Sequence, residues 1–163
     1  MRRLNICLTI SLLPLLVSCV APRQAAVLQP VGPSPLRTVA VMQGTEGALK
    51  VYSQRGIYND EGVNYHPHTA YTILSKEGTR LKQVKNTIYP HDEEPVSVNL
   101  AAGKYMVEAL AEGYVRVRVP VVIEVGRVTA VYLESSKRPA VAPAEEQAWV
   151  RLPTGKTVGW RAE

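Results

Sequence analysis

Apolar and polar residues alternate with period two along much of the stretch from residue 47 to 135. Successive side chains of a strand point to opposite faces, so this alternation predicts strands with one buried face. Ala48 to Ser53 reads as the first strand, Ala70 to Leu74 as a second and Leu81 to Asn86 as a polar third. Val96, Val98 and Leu100 alternate with Ser97 and Asn99. Tyr105, Val107, Ala109 and Ala111 alternate with Met106, Glu108 and Leu110. Val115, Val117, Val119, Val121 and Ile123 stay in phase, which places Arg116 and Arg118 on the opposite, solvated face. Val128 to Leu133 closes the set.

Turn signals separate these runs: Lys76-Glu77-Gly78-Thr79, Ala101-Ala102-Gly103-Lys104, Gly113 and Gly126. Gln54 to Thr69 and Thr87 to Pro95 read as two long loops. No segment carries a helical stripe. About seven short strands at this spacing predict an all-β fold, a sandwich or barrel. The stretch suffices for one core and is too short for two domains. Residues 47–135 are therefore expected to fold alone. Pro120, inside the longest apolar strand, predicts an edge, a bulge or a change of sheet.

The flanks differ. Met1-Arg2-Arg3 precedes a mostly apolar run, Ile6 to Leu16, which ends in Val17-Ser18-Cys19. That run is too short to cross a hydrocarbon core of roughly 30 Å as a helix and has the length of a signal-peptide core. Leu16-Val17-Ser18-Cys19 resembles the lipobox of bacterial lipoproteins. The resemblance implies that residues 1–18 are removed and that Cys19 is lipidated, which would make the membrane the first partner and the cell envelope the location. Val20 stands where an Asp would have resembled an inner-membrane retention signal, which favours the outer membrane in a source that has one.

Residues 19–46 contain Pro22, Pro30, Pro33 and Pro35 and read as a tether, with a possible short strand at Thr38 to Met42. Proline-rich linkers extend about 3.1 Å per residue, so some sixteen residues predict a standoff of about 50 Å. Residues 136–147 are rich in Ala and Pro and read as a linker; residues 148–163 read as a hairpin carrying Trp149 and Trp160.

Ala101 to Ala109, Glu112-Gly113-Tyr114, Val119 to Ile123 and Gly126 to Leu133 together resemble the carboxypeptidase regulatory-like domain and, almost equally, the PEGA repeat. The resemblance implies a Greek-key β-sandwich of about seven strands, transthyretin-like or immunoglobulin-like, without catalysis. It also implies that Tyr114 sends its hydroxyl back to nearby backbone. The long loop at Gln54 to Thr69 departs from the pattern.

Charge and cysteine content narrow the chemistry. The chain carries 19 basic and 14 acidic residues, but residues 47–135 hold ten of each. No clustered basic face is legible, and nucleic acid is not an expected partner. Of the two cysteines, Cys7 leaves with the signal and Cys19 takes the lipid, so neither a disulfide framework nor a cysteine-ligated metal is expected. No cofactor is expected.

All three histidines lie in the two loops. His66 and His68 should point the same way in an extended chain, and with His91 and Asp92 they would make a zinc site if the loops met. Solvated loop residues are the simpler reading. A hydrolase using Ser53 or Ser75 lacks a nucleophile elbow, and Asn59-Asp60-Glu61-Gly62 lacks the ligand spacing of a calcium loop and reads as a turn. Tyr58, Tyr65 and Tyr89, or Trp149 and Trp160, are the better candidates for contact with protein, peptidoglycan or glycan. The expected function is a non-enzymatic binding or spacer module of the envelope. An accessory subunit docking through its C-terminal tail is the alternative.

Overall fold

The computed structural model describes residues 25–35, 44–137 and 148–162. The signal segment, Cys19, the possible strand at Thr38 to Met42 and most of the Ala/Pro linker lie outside the described residues. Thirteen strands are described: β1 Ala26–Val27, β2 Val31–Gly32, β3 Glu46–Tyr52, β4 Tyr58–Asp60, β5 Val63–Tyr65, β6 Tyr71–Ser75, β7 Arg80–Val84, β8 Ser97–Ala101, β9 Gly103–Ala109, β10 Val117–Ile123, β11 Val128–Tyr132, β12 Trp149–Arg151 and β13 Thr157–Arg161. The described residues form an all-β fold.

Two sheets share one core. The larger runs β12-β13-β2-β10-β9-β6-β7, with β1 also on β10; the smaller runs β11-β3-β8. β3 is antiparallel to β8 and parallel to β11. Leu49, Val51, Val98 and Val131 from the smaller sheet meet Ile73, Val107, Val117, Val119 and Val121 from the larger. Val117, Val119, Val121 and Ile123 are all buried, whereas Arg118 is exposed, as period two requires. Val115 breaks the expected phase and is 69% exposed. It belongs to the turn around Gly113 (φ 80°), and β10 begins only at Val117. Pro120 sits inside the sheet, between β9 and β2, rather than at an edge.

The expected tether is the main correction. Ala26 and Val27 pair in parallel with Val117 and Arg118, and Val31 pairs with Val121. Residues 26–32 are therefore part of the sheet, not a spacer. Only Val20 to Ala25 lie between Cys19 and β1, which shortens the expected reach to about 22 Å at 3.1 Å per residue.

The C-terminal hairpin also joins this sheet. Trp160 and Arg161 pair with Gly32 and Val31. Val150, Leu152 and Val158 enter the common core, and Trp149 stacks on Trp160 with ring centroids 4.3 Å apart. Gly159 is required there: a Cβ would meet Val31 Cγ1 at 2.6 Å and the Ala130 carbonyl oxygen at 2.9 Å. The hydroxyl-to-backbone bond expected of Tyr114 is made instead by Tyr105, to the Ala101 carbonyl at 3.0 Å.

A clasped pair of loops as candidate interaction surface

The two long loops meet at one end of the sandwich, over a buried polar base. Ser53 and His68 are fully or almost fully buried where β3 ends. His68 Nδ1 donates to the Ser53 carbonyl at 2.7 Å, and its Nε2 faces Glu134 Oε1 at 3.8 Å. Glu134, 2% exposed, pairs with Arg55 and accepts from Ser136 Oγ at 3.0 Å. Asn86 adopts a left-handed backbone (φ 61°), which asparagine tolerates. Its Nδ2 donates to the Val51 carbonyl and to Ser53 Oγ, at 2.9 and 3.0 Å. These groups satisfy backbone that alternation alone leaves unpaired at the strand ends.

Removing one partner of a buried ion pair leaves the other uncompensated, at about 3–5 kcal/mol. Glu134→Ala should fall near the lower figure, because the Arg55 side chain is 27% exposed and can be hydrated. Urea unfolding of the variant against the parent measures this. A loss below 1 kcal/mol would remove Glu134 from the base.

Above the base, residues 58–65 form a two-residue hairpin. Glu61 (φ 48°) and Gly62 (φ 87°) form its type I′ turn, so the acidic run is a turn. Tyr58 opposes Tyr65, with ring centroids 6.5 Å apart. His91 of the second loop stands edge-on to both rings, at 5.4 and 4.5 Å, and its Nε2 lies 2.7 Å from Asp60 Oδ2. The His66 backbone N–H donates to Glu93 Oε1 at 3.0 Å. Glu94 lies between Lys137 Nζ at 2.8 Å and Lys50 Nζ at 3.0 Å.

The hydrogen bonds from Lys137 and then Lys50 hold the Glu94 carboxyl down at about 2. A depressed carboxylate stabilises the fold above its ordinary pKa, and that contribution is lost as pH falls from about 4.5 to about 2. Glu94 is 59% exposed, so solvent screening keeps the contribution well under about 1 kcal/mol. An NMR titration should place Glu94 near 2 and move it upward in Lys137→Ala. An unmoved midpoint would break the assignment.

The histidines do not converge. His68 is in the base, His91 is on the tyrosine pair, and His66 contributes its backbone. Among the described residues, no group of three or more His, Cys, Asp or Glu is placed to hold a metal. Tyr58 and Tyr65 stand together with His91 against their rings, so they clasp the loops rather than form a bare platform. Tyr89 is 65% exposed, and its backbone N–H donates to Asp92 Oδ2 at 2.8 Å. Trp149 is buried and Trp160 half-buried on their own hairpin. Arg55, Asn86 and Glu134 were not legible as site residues, because nothing in their local pattern distinguishes them from solvated polar positions.

Exposed large apolar side chains concentrate at this end. Ile57, Tyr58 and Val63 lie on the first loop, and Ile88 and Tyr89 on the second. Val115 and Val27 flank them, and among the described residues only Leu81 and Val125 of the exposed set lie elsewhere. Exposed apolar clusters of this kind mark interaction sites. In comparisons with known proteins, no family model matches the chain, and no curated protein or solved structure is similar to it.

Proposed function

We propose that the chain is a lipid-anchored envelope protein, in the outer membrane where the source has one, and that its β-sandwich is a non-catalytic contact module. The gathering of exposed apolar side chains on the clasped loops carries this reading. The two facing sheets agree with the β-sandwich that the resemblance to the carboxypeptidase regulatory-like and PEGA domains implies. The C-terminal hairpin completes its own sheet, which weakens docking through the tail.

Two measurements test the proposal. Cys19→Ser should abolish labelling by radioactive palmitate and leave the protein uncleaved or mislocalised; normal labelling would end the lipoprotein reading. A photo-crosslinking residue at Ile88 should give discrete adducts in source membranes, and one at Leu81 should not. Equal adducts at both positions would end the loop-surface reading.

A further inference from the structure

The parallel pairing of β1 with β10 settles which end of the sandwich the lipid-proximal chain leaves from. Ala26 stands opposite Val117, at the start of β10 and beside the turn that carries Val115. β3 ends at that same end, because the Gln54 N–H bonds the Leu110 carbonyl and the Leu133 N–H bonds the Tyr52 carbonyl. The clasped loops and the point of attachment therefore share one end. The turn that carries Val125 is at the other.

Chain length turns this into an orientation. Seven residue steps lead from Cys19 to Ala26, and a fully extended chain spans at most about 25 Å over that number. From the level of Val117 to Val125, the domain extends about 26 Å at 3.3 Å per residue. To turn the Val125 end towards the bilayer, the tether would have to run back along the whole domain at full stretch. With the loop end towards the bilayer, the tether has slack.

The side chains at that end suit a lipid surface. Ile57, Ile88 and Val115 are each more than two-thirds exposed, and Tyr89 has the ring type enriched at membrane interfaces. Anchoring raises the effective concentration of lipid, so weak apolar contacts suffice. Charge selects the lipid. The four loops at this end (residues 54–69, 85–96, 110–116 and 133–137) carry seven carboxylates and four cations, Lys50 of β3 adds a fifth cation against Glu94, and the remaining surplus of two carboxylates disfavours anionic headgroups.

We infer that the clasped loop end is a membrane-contacting surface that rests on zwitterionic headgroups and insets Ile57, Ile88, Tyr89 and Val115 at the interface. The inference depends on lipidation of Cys19 and names the partner of the proposed contact surface.

The test uses the intact lipidated protein in phosphatidylcholine vesicles, with Ile88→Cys or Val125→Cys carrying an environment-sensitive dye. Cys7 is removed with the signal and the Cys19 thiol is acylated, so labelling is confined to the new position. Flotation reports anchoring in the same samples. Brominated lipid should quench the dye at 88 severalfold more than the dye at 125. Ile57→Asp should reduce that quenching, and so should replacing part of the lipid with phosphatidylglycerol. Flotation with equal quenching, or with stronger quenching at 125, would overturn the orientation while leaving the anchor intact. Failure to float would overturn the anchor and this inference with it. Burial of the dye at 88 in native membranes but not in pure lipid would assign the surface to a protein partner instead.

Discussion

Val117→Asp should leave the protein unfolded or barely folded at 25 °C, and Arg116→Asp should be nearly silent. Val117 is fully buried and lies in the core with Ala109, Val119 and Val107. An aspartate there loses the valine's burial, about 1.5–3 kcal/mol, and also carries an unpaired carboxyl into an apolar site. Together these approach the 5–15 kcal/mol by which a typical domain is stable. Arg116 is exposed, and its partner Glu108 is also bonded by Arg118, at 2.8 Å. Losing the first of two exposed ion pairs, even to a like charge, costs about 1 kcal/mol or less. Circular dichroism under urea separates the outcomes. Comparable losses in the two variants would mean that β10 presents its other face to the core.

Residues 47–135 taken alone should fail to fold cooperatively, contrary to the expectation from alternation. The fragment lacks β1, β2, β12 and β13. With them go the buried side chains of Val31, Trp149, Val150, Leu152 and Val158, and β10 loses its neighbours on one side. At about 1.5–3 kcal/mol per buried side chain, the loss is on the order of 10 kcal/mol, comparable to the whole stability of a domain. The new edge would also be long and apolar, which favours aggregation. A chain spanning 25–162 should melt cooperatively where the fragment does not. A cooperative melt of the fragment at the parent temperature would show that the added strands only decorate a finished core.

Residues such as Val107, Val119 and Val131 were legible as core because a buried strand face repeats every second residue, a signal contained within a few neighbours. Gly78, Gly113 and Gly126 were legible as turns for a related reason: each has a positive φ that most side chains resist. Val115 was misread because periodicity does not say where a strand begins; the turn at Gly113 kept it in solvent. The buried Glu134 was invisible for a deeper reason. Its partners Arg55 and His68 lie far away in sequence, and only their convergence makes burying a carboxylate tolerable.

The sequence by itself determined the all-β class, the strand phases and the composition of the loops, because each depends on local alternation and turn chemistry. The tertiary structure alone decided that the proline-rich segment becomes β1 and β2. Two-residue strands carry no periodicity, and they form only because β10 offers an unpaired edge. It likewise decided that the tryptophan hairpin closes its own sheet, since a pair of short strands is marginal until it finds a core to cover. That the chain enters β1 at the same end as the loops follows from the parallel register of Ala26 on Val117, a long-range pairing that no local pattern encodes.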